Sequence, residues 1–85
     1  MKRLIEDVEG EGLVSLIGQR VTFFCMNYIY TGKLIGVNES DVLLTDAAIV
    51  YETGSFSDAD WKDAQMLPNN LYVRTSSIES YMVLK

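Results

Sequence analysis

Ile29-Tyr30-Thr31-Gly32-Lys33-Leu34-Ile35-Gly36-Val37 is the stretch that decides the fold. Its β-branched and aromatic residues favour an extended strand. Tyr30, Gly32, Leu34 and Gly36 share one face, because side chains alternate along a strand. Glycine weakens a strand interior unless the backbone must bend there. Two glycines four apart on one face predict a strand curling round a small barrel.

The flanks carry the same period. Upstream, Val21, Phe23 and Cys25 alternate with Thr22, Phe24 and Met26, and Asn27-Tyr28 makes a short turn. Downstream, Asn38-Glu39-Ser40 is a turn and Asp41 to Thr45 an apolar strand. Asp46 and Ala47 lead into Ala48 to Glu52, either another strand or a continuation past a bend. Thr53 to Asn70 breaks the pattern with Gly54, Ser55, Ser57, Asp58, Asp60, Asp63, Pro68 and Asn69-Asn70. It predicts a long excursion with one helical turn opened by Ser57. Leu71 to Arg74 is a strand, Thr75-Ser76-Ser77 a tight turn, and Ile78 to Leu84 the last strand. At the start, Leu4, Val8, Leu13, Leu16 and Ile17 could line one side of a helix that Gly10 and Gly12 interrupt. The expectation is a short helix over Glu11 to Ile17, stopped by Gly18, that caps one end of the barrel. About five short strands with no helices between them imply antiparallel pairing, in a barrel or a sandwich.

The chain has 85 residues, the size of one domain. Domains this short are marginal alone and gain from a partner, a metal or disulfides. Cys25 is the only cysteine, which excludes a disulfide within the chain. One Cys and no His leave little for a thiolate or imidazole metal site, so no cofactor is expected. Oligomerisation remains as the route to extra stability. A lone Cys with no leader-like stretch suits a reducing, cytoplasmic setting. No apolar run approaches the roughly 20 residues that span a bilayer, so no membrane partner is expected. Seven Lys and Arg against twelve Asp and Glu give a net charge of −5, which argues against general attraction to phosphates.

Nothing resembles enzyme machinery. Cys25 has no histidine to activate it and reads as a core side chain. Asp58-Ala59-Asp60-Trp61-Lys62-Asp63 crowds carboxylates, but it lacks the Gly and Glu of a Ca²⁺ loop at their required spacing. It reads as a solvated acidic loop, with Trp61 anchoring it to the barrel or to a partner.

Gly18-Gln19-Arg20-Val21 and Tyr30-Thr31-Gly32-Lys33-Leu34-Ile35-Gly36-Val37-Asn38, followed by Val42-Leu43-Leu44-Thr45-Asp46-Ala47, resemble the first half of the Sm-like (LSm) family signature. Val73-Arg74-Thr75-Ser76-Ser77-Ile78, with Tyr81 and Val83, resembles the second half. The resemblance runs from Leu13 to Leu84, with the family's variable loop at residues 53–70. It implies a single domain over 1–85: a short N-terminal helical segment (1–17), then a strongly bent five-stranded antiparallel SH3-like barrel. It also implies a homo-oligomeric ring, with strand four of one subunit paired to strand five of the next. Open strand edges satisfied head to tail close into a ring when the rotation permits. Ile49, Val50 and Tyr51 with Leu71, Tyr72 and Val73 are the expected edge segments.

The function implied by the resemblance is binding of single-stranded RNA at or near the central pore, in RNA processing or regulation. In the family a side chain and an Arg sandwich a base while an Asn bonds its edge. Asn38 takes the place of the family's Asp, Ser40 that of the stacking residue, and Asp41 that of the Asn. Arg74 matches the family's Arg, and Thr75 replaces its Gly. Ser40 has no flat face, and a carboxylate at Asp41 repels phosphate. Arg74 could equally tie to Asp41 or Asp46 and brace the ring. The alternative function is therefore a structural or protein-interaction ring that binds no nucleic acid.

Overall fold

The computed structural model describes residues 11–85; Leu4, Val8 and the rest of the expected frayed start lie outside them. Strands β1 (Arg20–Cys25), β2 (Ile29–Val37), β3 (Asp41–Glu52), β4 (Asp63–Met66), β5 (Leu71–Arg74) and β6 (Ile78–Val83) form one antiparallel sheet that does not close on itself. The order is β4-β3-β2-β1-β6, and β5 also pairs with β3. The first half of β3 faces β5, from Asp41↔Arg74 to Leu44↔Leu71, and its second half faces β4, from Ala48↔Met66 to Glu52↔Asp63.

Three expectations need correction. A single 3-10 turn at Val14–Leu16 stands where a helix over Glu11 to Ile17 was expected. Gly12 and Gly18, at φ of 76° and 96°, bracket a segment too short to nucleate an α-helix. There are six strands rather than five, because β4 lies inside the polar stretch read as an excursion; no helical turn forms at Ser57. Ile49 and Val50 are not at an edge. Both pair with β2 on one side and with β4 on the other, so Ile49, Val50 and Tyr51 belong to an interior strand.

The bend comes from Gly32 and Asp46 together. A Cβ on Gly32 would stand 3.1 Å from Leu44 Cβ, 3.1 Å from the Thr45 carbonyl oxygen and 3.2 Å from Ala47 Cα, so only glycine lets β3 come this close. Opposite it, β3 carries one extra residue between the Thr31↔Ala48 and Lys33↔Thr45 pairs. Asp46 sits there at φ 50°, a left-handed bulge conformation that Asp tolerates better than most residues. The Arg20 guanidinium donates to its carbonyl at 3.3 Å. Gly36 makes no such demand: a Cβ there would find its nearest neighbour at 3.5 Å.

The bulge switches the side-chain parity of β3. Before it, Val42 and Leu44 point into the core; after it, Ala47 does. With Val21, Phe23, Leu34 and Val73 they make the buried cluster, against which Leu13, Leu16, Leu67, Leu71 and Ile78 pack. Thr22, Thr31, Ala48 and Val50 are buried too, on the opposite, outer face. Residues 53–62 fold over that face, where Phe56 meets Phe24 edge to face at 6.4 Å.

Lys85 ties the cover down. Its ammonium donates to the carbonyls of Thr53 (3.2 Å), Ser55 (2.7 Å) and Asp60 (2.9 Å), using all three protons. It also lies 4.7 Å from the centre of the Trp61 ring. Its main-chain oxygen accepts from the buried Thr31 hydroxyl at 2.9 Å, and the Thr22 hydroxyl donates on to Thr31 at 3.3 Å. The acidic loop is thus arranged by its carbonyl groups around an ammonium, with Trp61 as one wall.

Candidate functional site

All five residues expected to touch RNA come together. The β2–β3 turn brings Asn38, Ser40 and Asp41 to one end of the sheet, and the Asp41↔Arg74 pair sets Arg74 and Thr75 beside them. Asn38 shapes the turn from within: its side-chain oxygen accepts the backbone N–H of Ser40 (2.9 Å) and of Asp41 (2.8 Å). The Ser40 hydroxyl donates to Asp41 at 2.6 Å. Thr75 joins the two turns, with its N–H on the Ser40 carbonyl (2.9 Å) and its hydroxyl on the Glu39 carbonyl (3.2 Å). Arg74 Nε faces Asp41 Oδ1 at 3.6 Å, the tie to a neighbouring carboxylate foreseen as one option.

The chemistry left over is narrow. The Asn38 oxygen is occupied by backbone donors, the Ser40 hydroxyl by Asp41, and Thr75 by the facing turn. No aromatic side chain belongs to this group. The Arg74 side chain, 77% exposed, is the part still open to an anion or a base. Its charge is partly offset by Asp41, and exposed pairs of this kind hold each other by about 1 kcal/mol or less. The junction is built as a brace between two turns, with one cation on its surface. Among the described residues, no group of three or more His, Cys, Asp or Glu side chains could hold a metal, and no helix is long and apolar enough to cross a membrane.

A second place was not foreseen from the sequence. Where β1 turns into β2, a cleft of about 190 Å³ is lined by Cys25, Met26, Asn27, Tyr28, Tyr30 and Ser77. The Cys25 N–H donates to the Tyr28 carbonyl at 3.1 Å, which makes the turn tight. The Tyr28 and Tyr30 rings stand 6.1 Å apart, tilted by 52°. Burial pushes the Cys25 thiol above its ordinary pKa; the Ser77 hydrogen bond works the other way, and the Glu79 carboxylate adds to the rise. Burial, then Cys25 and Tyr28, raise the Tyr30 phenol too. Cys25 is half-buried against the core and forms one wall of the cleft. The clue in the sequence is two tyrosines at i and i+2 where the turn runs into β2.

The edge strands carry a third feature. Among the described residues, the outer edges of β6 and of β4 and β5 have no pairing partner. Met66 and Tyr72 on one side, and Met82 and Val83 on the other, are more than half exposed. Tyr72 thus lies on an edge strand as expected, while Val73 beside it is buried in the core. Comparison with family models, with curated proteins and with solved structures gives no match, so a functional reading rests on this geometry and on the two-part motif.

Proposed function

We propose that this chain is a subunit of a closed homo-oligomeric ring of the Sm-like kind, working as a structural or protein-interaction module. The observation that carries the reading is the pair of unpaired edges, each with large apolar side chains in water: Tyr72 is 69% exposed and Met82 51%. Unpaired strand edges of this composition invite another strand. In this reading β4 and β5 are the two halves of one interrupted fourth strand running along β3, and β6 is the fifth. The bend at Gly32 and the two-part motif around Gly32 and Arg74 are in keeping with a strongly bent Sm-like barrel. The β5 edge of one subunit then pairs with the β6 edge of the next, and repetition of that head-to-tail contact closes the ring. A single thiol and the absence of any disulfide suit a cytoplasmic setting.

Light scattering after size exclusion tests this. The expected result is one oligomer of fixed size, at micromolar concentration and in moderate salt. A clean monomer at high concentration would sink the proposal.

RNA binding at the turn junction is the second reading, and the exposed Arg74 guanidinium is what favours it. The net charge of −5, the absence of a stacking side chain at Ser40 and the internal use of Asn38 all weigh toward the first reading. Fluorescence anisotropy with short U-rich and A-rich RNAs at low salt separates the two: saturable binding that Arg74→Ala abolishes would move the function to RNA.

A further inference from the structure

We propose that the cleft between the β1–β2 turn and the start of β6 is a receptor for one cationic side chain, an arginine presented by a partner peptide. The proposal does not depend on the ring.

Size comes first. At about 190 Å³ the cleft is smaller than the roughly 300–1,000 Å³ that hold cofactors and drug-sized ligands, and it suits a single side chain. Two of its walls are aromatic: the half-exposed Tyr28 and the more buried Tyr30, which packs against the core, stand 6.1 Å apart at 52°. Ring faces attract cations, and a planar guanidinium both stacks on them and donates hydrogen bonds. Asn27 and Ser77 on the cleft lining carry side-chain oxygens; the Ser77 hydroxyl donates to the Arg74 carbonyl at 2.8 Å and keeps its capacity to accept.

Charge points the same way. The β1–β6 register slips between Phe24↔Ser80 and Cys25↔Ile78, which leaves Glu79 as the extra residue of a bulge directly beside Cys25. Bulges recur where a strand must re-aim a side chain. Glu79 is near enough to act on the Cys25 thiol. The cations whose contacts are known are held elsewhere: Arg20 at the β3 bend, Lys62 on Glu52, Arg74 on Asp41 and Lys85 in the long loop. The cleft lining therefore holds no Lys or Arg residue; Arg74 reaches it only through its main-chain carbonyl, which accepts from the Ser77 hydroxyl at 2.8 Å, while Glu79 is the acidic neighbour. It sits on a chain with net charge −5 that draws basic partners toward it.

The test is a titration of the whole chain with Nα-acetyl-arginine methylamide, followed by amide and side-chain NMR at constant ionic strength. The neutral isostere Nα-acetyl-citrulline methylamide and uridine monophosphate are the comparison probes. Arginine is expected to shift Asn27, Tyr28 and Ser77 saturably, with a dissociation constant of order 1 mM, a weak single-residue affinity. Citrulline should bind at least about threefold more weakly, the loss of one cation–ring contact. Glu79→Gln should weaken arginine about two- to fivefold, and weaken it less at high salt. Tyr28→Ala should abolish the shifts; Tyr28 is exposed, so the fold can be checked in the same spectra. Equal binding of citrulline and arginine, tighter binding of the nucleotide, or shifts that never saturate would each overturn the proposal.

Discussion

The outer face of the sheet and its two edges show opposite treatment of the same problem. On the outer face, two buried threonines lie under Lys85, whose main-chain oxygen accepts from the Thr31 hydroxyl, and Lys85 holds residues 53–62 through three main-chain carbonyls and the Trp61 ring. At the edges, whole strands stay bare: every residue of β4 is exposed, and so is β6 beyond Ile78. The long loop crosses the outer face and leaves Tyr72, Met82 and Val83 in water. A buried polar group that lacks a partner costs about 1–3 kcal/mol, so under the cover the threonine hydroxyls need the partners they find in each other and in the Val21 and Lys85 main-chain oxygens. An open edge carries no such penalty while water reaches it. The difference teaches that the face is covered from within the chain and its hydroxyls are paired there, whereas the edges stay open to solvent.

The largest effect should come from removing the bend on which both regions depend. Gly32→Ala places a methyl 3.1 Å from Leu44 Cβ and from the Thr45 carbonyl, and backbone cannot yield as a flexible side chain does. A loss of about 1–3 kcal/mol in urea unfolding is expected, the usual cost of overpacking. Gly36→Ala is the control. Its Cβ has ordinary room and its φ is not positive, so it should be neutral or slightly stabilising. Equal losses at the two glycines would show that the bend is not what Gly32 supplies.

Lys85→Met comes next, because it unseals the face while leaving the edges alone. It removes three charge-assisted bonds to carbonyls and should cost about 1–2 kcal/mol after solvent compensation. Hydrogen exchange should speed up over residues 53–62. The effect should survive salt, since the partners are carbonyls at contact distance. Lys62→Met, which loses only the exposed pair with Glu52, should cost at most about 0.5 kcal/mol. Unchanged exchange in the loop of Lys85→Met would refute the latch.

Legibility in the sequence divides along the same line. The alternation of Val21, Phe23 and Leu34 and the bend at Gly32 could be read directly, because burial on one face leaves a period-two record. Strand β4 could not. Asp63-Ala64-Gln65-Met66 is exposed throughout and has no alternation; only its pairing with the far half of β3 makes it a strand. That missed strand also misplaced the edge, moving Ile49 and Val50 outward when they are covered on both sides. The five candidate residues at the turns were found because they are side chains in a recognisable order. Their mutual saturation was not foreseen, since it depends on which backbone groups the two turns present to each other. The Lys85 latch rests on three main-chain carbonyls, which every residue carries, so no choice of side chain announces it.

A smaller effect follows from titration at the cleft, at the margin of the core. Cys25 and Tyr30 are both held in the neutral form, chiefly by burial. An acid whose folded pKa is raised stabilises the fold fully below its unfolded pKa. That contribution is lost as pH rises from the unfolded value through the folded one. Stability should therefore decline on the alkaline side, beginning near the ordinary thiol range. Cys25→Ser should flatten the first part of that decline in unfolding measured against pH. A decline that is the same in Cys25→Ser would assign it to other groups.

The smallest effect on the fold should come from the edge, where the comparison is sharpest. Met82 lies opposite Thr22 on β6 and is half exposed, so Met82→Lys removes little burial within the subunit. Exposed substitutions of this kind stay within about 0.5 kcal/mol. Lysine on a strand edge is also a common device against edge-to-edge pairing. If the edges are left for a second copy, Met82→Lys should keep the unfolding midpoint of the subunit and shift light scattering toward smaller species. The same shift should follow Tyr72→Lys on the opposite edge, because a head-to-tail contact uses both. Combining the two should add nothing once the contact is broken. If either variant unfolds the chain, the edge is part of the core after all. If both leave the mass unchanged, the edges are not where copies meet, and the bare strands await a different partner.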